Sequence, residues 1–165
     1  MGIGYALECK TPFCRYSRLL VTGVGMRFSF VYQEVMEKAR KGEVSEEHTQ
    51  FLQDHPDGVI NAKKNIYQCR DCGYYFSDYN LDMYIPKGDN ADAPEKGRRS
   101  VAFPSEGMSY VSPFELKKRY KLYQTYPHHC PKCKGEVDVT EEVKDVSEKC
   151  PKCGKELKVS FILWD

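Results

Sequence analysis

The chain has 165 residues and a formal net charge of +1, with 41% hydrophobic and 30% charged residues. That size allows one domain or two small ones, and the composition is that of a folded, water-soluble protein. The near-zero charge gives no global attraction to nucleic acid or to an anionic membrane, and no apolar run approaches a membrane span.

The opening segment, "MGIGYALECK", has neither the basic stretch nor the long apolar core of a secretory signal, and Ala6 stands where a myristoylation pattern needs Ser or Thr. A reducing, cytoplasmic setting is therefore expected. Residues 3–30 read as strands and turns, with Gly23 and Gly25 interrupting "LLVTGVGMRFSF" as in a hairpin. Residues 29–41 predict a helix, since Val31, Val35, Met36 and Ala39 recur at helical spacing and Gly42 follows as a stop. Ser45 is placed to cap a second, short helix. Residues 59–68 return to a sheet, and "IYQCRDCGYYF" reads as strand, tight turn, strand.

Residues 86–107 are rich in Pro, Gly and charge and read as a linker or loop. "SPFE" then opens a helix that runs to about Tyr120, with Ser112 at the cap, Pro113 in the first turn and Glu115 completing a capping box. At the end of the chain Leu157, Val159, Phe161 and Leu163 alternate, which predicts a strand. The expected fold is α+β, with two antiparallel β lobes. The first lobe covers residues 1–85 with a helical insert at about 30–55; a linker occupies 86–111, and a helix and second lobe fill 112–165.

The eight cysteines carry the chemistry. All fall into close pairs: Cys9/Cys14, Cys69/Cys72, Cys130/Cys133 and Cys150/Cys153. In a reducing compartment such pairs are metal ligands rather than disulfides. Two thiols separated by two residues chelate one ion through a tight turn whose N–H groups offset the sulfur charge. Gly73 and Gly154 directly follow such pairs and Gly135 comes one residue later, supplying left-handed backbone; Pro131 and Pro151 stiffen two of the turns. Zn²⁺ is the expected ion for four thiolates, at two ions per chain.

The C-terminal pairs follow the pattern C-x2-C-x16-C-x2-C, which groups Cys130, Cys133, Cys150 and Cys153 as one site. The second site then joins Cys9 and Cys14 to Cys69 and Cys72 across the stretch from Arg15 to Gln68, a closure whose cost rises only logarithmically with length. Alternatives are that Cys9 and Cys14 are buried small residues with His48 or His55 completing the site, or that Cys69/Cys72 pairs with a C-terminal pair at the expense of two long closures. His128 and His129, beside Cys130, are expected to be exposed neighbours rather than ligands.

On these turns, residues 126–164 resemble a zinc ribbon, a small three-stranded family built on one metal. The resemblance implies a metal site and says almost nothing of function. "CRDCGYYF" and "CPKCG" also resemble the metal turns of rubredoxins, which would imply iron and electron transfer. The long gap between Cys72 and Cys150, with a third cysteine pair inside it, departs from that compact order.

Three functional classes follow. One is a non-catalytic zinc protein that docks on another protein as an adaptor or accessory subunit. Another is a nucleic-acid binder using Arg98, Arg99, Lys117, Lys118, Arg119 and Lys121, with "KKRYKLY" mixing cations and tyrosines. The last is a rubredoxin-like electron carrier. No nucleophile–base pair, P-loop or dinucleotide fingerprint is present, so enzyme activity is not expected. Glu141 and Glu142, a bare acidic pair, read as a solvated tip. Residues 101–135 carry six Lys/Arg against two acids and residues 42–60 five acids and no Lys/Arg, a polarity that suits protein docking at least as well as nucleic acid, and the weak overall charge tips the choice towards docking.

Overall fold

The computed structural model describes residues 2–88, 110–140, 142–143 and 149–164. Over these residues the chain is α+β, with three helices and antiparallel strand pairs. It forms two compact units that interleave in sequence. The first takes the described residues up to Gly25, Lys64–Tyr79 and those from Pro127 onward; the second takes Met26–Lys63 and the described part of Asn80–Tyr126. The division therefore differs from the sequential lobes at 1–85 and 112–165. Most of the expected 86–107 linker lies outside the described residues.

The first unit holds six strands: β1 (Gly2–Cys9), β2 (Ser17–Gly23), β4 (Lys64–Cys69), β5 (Tyr75–Tyr79), β8 (Val137–Thr140) and β9 (Leu157–Trp164). They divide into two groups of three. β1 pairs with β2 on one side and with β9 on the other, from Gly2–Trp164 to Cys9–Leu157. β4 likewise pairs with β5 and with β8. The groups meet where Gly23 of β2 pairs with Lys64 of β4, and where the Val21 N–H donates to Ser77 Oγ at 2.7 Å.

Strand alternation places Leu7, Leu20 and Leu157 on one face of the first group and Ile66 and Tyr75 on one face of the second. Those side chains, with Val143 and Cys150, form one buried cluster. The expected alternation of the last strand is present, but the face is covered at one end only. Leu157 is buried and Val159 half-buried, whereas Phe161 and Leu163 are 59% and 73% exposed.

In the second unit, β3 (Val59–Ile60), β6 (Met83–Pro86) and β7 (Tyr120–Gln124) form a three-stranded sheet. Its helices are α1 (Phe28–Arg40), α2 (Glu46–Asp54) and α3 (Pro113–Arg119). The predicted ends hold. Gly42 follows α1 at φ +79°, Ser45 Oγ accepts from the His48 N–H, and Ser112 and Glu115 make a reciprocal capping box. His48 is wholly buried: Nδ1 lies 2.7 Å from Ser45 Oγ and Nε2 2.8 Å from the Leu81 carbonyl oxygen. Because a carbonyl only accepts, Nε2 carries a proton in this contact.

Gly58 is buried where a Cβ would come within 2.7 Å of the Phe51 ring and 2.8 Å of the His55 backbone oxygen. Gly58→Ala is expected to destabilise the protein by about 1–3 kcal/mol through overpacking. Gly88→Ala, where a Cβ meets nothing within 4 Å, serves as the neutral control. Equal denaturant midpoints for the two variants would contradict this packing.

Candidate metal centres

Each turn that holds a cysteine pair is built by its own backbone. The N–H groups of Gly73, Lys134 and Gly154 bond the carbonyls of Cys69, Cys130 and Cys150 at 3.1, 2.9 and 2.8 Å. These three donors all have left-handed backbone, with φ of +67°, +66° and +69°. The left-handed residue after Cys133 is thus Lys134 itself, and not Gly135 as the sequence suggested. The wider Cys9–Cys14 turn closes through Cys14 N–H to the Thr11 carbonyl at 3.0 Å.

These turns bring the eight thiols into two groups of four, and in each group the sulfurs lie within 4.8 Å of one another. Cys69, Cys72, Cys130 and Cys133 form the inner group, whose members stand closer together in the chain. Cys9, Cys14, Cys150 and Cys153 form the outer group. The grouping corrects the sequence expectation in both halves. The four C-terminal thiols do not share a site, and Cys9 and Cys14 do not meet Cys69 and Cys72. The pairing that needed two long closures is the one that forms.

Strand pairing explains the choice. Exchanging the short closure between Cys133 and Cys150 for the long one between Cys14 and Cys150 costs only about 2 kcal/mol, because the dependence on length is logarithmic. Against this, β9 gains eight residue pairs with β1 and buries Leu157 beside Leu7. A buried leucine alone contributes roughly 1.5–3 kcal/mol. β8 is similarly committed to β4, four residue pairs from Ile66–Thr140 to Cys69–Val137. Neither strand is available to the other.

Sulfur separations suit a single ion in each group. Cys9–Cys153 is 3.3 Å and Cys14–Cys150 is 3.5 Å; Cys69–Cys133 is 3.4 Å and Cys72–Cys130 is 3.7 Å. A tetrahedron with metal–sulfur bonds of about 2.3 Å has edges of about 3.8 Å, whereas a disulfide needs about 2.05 Å. Backbone N–H groups two residues ahead point at the sulfurs, with Thr11 N–H to Cys9 Sγ and Lys132 N–H to Cys130 Sγ both at 3.4 Å.

The thiols differ sharply in acidity. The Lys155 N–H, followed by the Cys9 thiol, holds Cys153 down to about 6. The Tyr16 N–H acts in the same direction on Cys14, but burial and the thiols of Cys150, Cys9 and Cys153 push it up to about 12. In the inner group the Cys72 N–H, working against burial, holds Cys69 down to about 7. Cys133 is pushed up to about 12, the Gly135 N–H being outweighed by the thiols of Cys69 and Cys72 and by burial. Four crowded thiolates repel one another, and a divalent cation is the group that offsets that charge.

The two groups share a local design. In the inner one, the Arg70 N–H bonds the Glu136 carbonyl at 3.0 Å, and its guanidinium bridges Glu136 and Asp138, each at 2.6 Å. In the outer one, the Lys10 N–H bonds the Glu156 carbonyl at 3.2 Å and its ammonium reaches the Glu156 carboxylate at 2.8 Å. Lys10 and Arg70 each follow the first cysteine of a hairpin turn. Glu136 and Glu156 each stand three residues after the last cysteine of the partner turn. Sequence reasoning passed over these four residues, although the repeated Cys–cation and Cys–x₂–Glu pattern was visible.

Other candidates resolve differently. His48 is held inside the second unit and His55 packs edge-on against Tyr123 at 4.8 Å, and neither joins a thiol group. The His128 side chain is 7% exposed and its ring packs on Tyr67 at 4.2 Å, which corrects its expected exposure; His129 is exposed. Among the proposed nucleic-acid contacts, Lys117, Lys118 and Lys121 are exposed, while Arg119 is drawn to Glu115 at 3.1 Å. Arg98 and Arg99 lie outside the described residues, as does Glu141; Glu142 is exposed. No helix among the described residues is long and apolar enough to cross a membrane.

No family model, curated protein or solved structure matches the chain.

The pairing is testable with NMR-active cadmium in place of the native ion. One cadmium resonance should couple to the Hβ protons of Cys9, Cys14, Cys150 and Cys153, and the other to those of Cys69, Cys72, Cys130 and Cys133. A single cadmium coupled to both Cys130 and Cys150 would contradict it.

Proposed function

We propose that the protein is a two-zinc protein whose metals are structural, and that it works as a non-catalytic docking adaptor or accessory subunit in a reducing, cytoplasmic compartment. The observation that carries this reading is the pair of four-thiol groups, each with its sulfurs within reach of one ion. Zinc accepts four thiolates in a tetrahedron without a geometric preference of its own. Cys9, Cys14, Cys150 and Cys153 would hold one ion, and Cys69, Cys72, Cys130 and Cys133 the other. Each group is a hairpin with one cysteine turn at its tip, to which a second cysteine turn adds a third strand. This supports a ribbon-like arrangement at each group, assembled from distant parts of the chain rather than within residues 126–164.

Four thiolates fill the coordination sphere and leave no position for water or substrate, which supports a structural rather than a catalytic metal. Docking is supported by an apolar surface on β1 and β9. Ile3 is paired with Leu163 and Tyr5 with Phe161, so these residues share one face. Ile3, Phe161 and Leu163 are exposed there, and a weakly charged apolar surface suits another protein better than a polyanion.

Elemental analysis of the purified chain is expected to give two zinc ions per molecule, and Phe161→Asp should keep both while losing the proteins that the wild-type chain retains from its own cells. One zinc per chain would contradict the two-site reading. Iron in the sites would favour a rubredoxin-like electron carrier, and unchanged retention by Phe161→Asp would remove the docking face.

A further inference from the structure

Resting on the metal-binding reading, we infer that the two four-thiol groups load as one cooperative unit, each ion raising the affinity of the other site through the core that both strand groups share. Among the described residues the two groups share one buried cluster, beside which the inner group also buries Tyr67, Cys69 and Cys130. The outer group contributes Leu7, Leu20 and Leu157 to the buried cluster and the inner group contributes Ile66 and Tyr75. Cys150, a thiol of the outer group, is itself a member of that cluster, and Cys9 and Cys14 pack against it. An ion that fixes Cys150 therefore also fixes the surface on which Ile66 and Tyr75 pack.

Polar contacts tie the same two groups. Ser77 of β5 accepts the Val21 N–H of β2 at 2.7 Å, and Thr22 Oγ1 donates to the Lys64 carbonyl at 3.1 Å. The Arg18 guanidinium lies over the Tyr74 ring at 4.4 Å, and Tyr74 directly precedes β5. Losing order in the inner group uncovers these donors of the outer one, losing it in the outer group uncovers their acceptors, and either loss exposes apolar surface of the other.

Chain connectivity acts in the same direction. The inner closure, between Cys72 and Cys130, lies wholly within the outer closure between Cys14 and Cys150. Closing the inner group therefore shortens the loop that the outer group must still close. That shortening lowers the entropic cost of the second event only slightly, because the dependence is logarithmic. The shared core is the larger contribution. Coupling between sites is reciprocal, so each ion must help the other by the same factor.

The test is native mass spectrometry of the full-length metal-free chain titrated with Zn²⁺. Two independent, equal sites at half saturation put half of the molecules in the one-metal state. Coupling of about tenfold or more lowers that share to about a quarter or less. Affinity measurements supply the second arm. Cys133→Ser disables the inner site and is expected to weaken Zn²⁺ at the outer site about tenfold or more; Cys153→Ser should weaken the inner site by the same factor. Both cysteines are exposed, so serine disturbs the shared core least.

A one-metal share of half or more, or a remaining site of unchanged affinity in either variant, overturns the coupling while leaving the two-zinc reading intact. A wild-type chain that takes up fewer than two ions overturns both.

Discussion

The first structural unit depends on one constraint: four sulfurs from two distant turns must converge on a point. Each group begins as a local hairpin, β1–β2 or β4–β5, which would be marginal alone in water. The strand that completes it comes from far along the chain and directly follows its own cysteine turn. β8 starts four residues after Cys133 and β9 four residues after Cys153. Register is therefore set at the thiol end of each strand. Arg70 with Glu136 and Lys10 with Glu156 repeat that register in backbone and side-chain bonds. The exposed ion pairs themselves contribute roughly 0–1 kcal/mol each, so they refine a register that thiol convergence and strand pairing establish.

The two groups are nested rather than sequential. The chain lays down the outer hairpin, then the inner hairpin, then the inner third strand, and last the outer third strand. The second structural unit is made of the excursions between these pieces. It carries its own core, including Tyr32, Phe51, Ile60 and Met83, and its own satisfied polar centre at His48. That histidine illustrates how a residue with metal-binding chemistry is used for packing: both ring nitrogens are engaged and the Tyr126 ring packs at a tilt, 5.1 Å away.

Much of the local structure was legible in the sequence because it is encoded locally. The cysteine turns follow from Cys-x₂-Cys with glycine nearby, α3 from Ser112-Pro113-Phe114-Glu115, and β9 from the alternation of Leu157, Val159, Phe161 and Leu163. The partner of each turn was not legible, because the turns are chemically alike and closure entropy discriminates weakly among them. What discriminates is the match between strands. β1 alternates Ile3, Tyr5 and Leu7 over the same length as Leu163, Phe161 and Val159 of β9, and the two strands pair residue for residue. Short separation between Cys133 and Cys150 suggested a local site; eight strand pairs and a shared core outweigh it. His128 was misread for a related reason, since its burial against Tyr67 depends on a strand that lies far earlier in the chain.

Each four-thiol group has the geometry to hold one metal ion. X-ray absorption at the metal edge of the protein as isolated addresses that directly. The structure predicts a shell of four sulfurs at about 2.3 Å around each ion, with no nitrogen or oxygen neighbour. Light-atom ligands in that shell, or a metal-free chain whose cysteines are joined as disulfides, would contradict it.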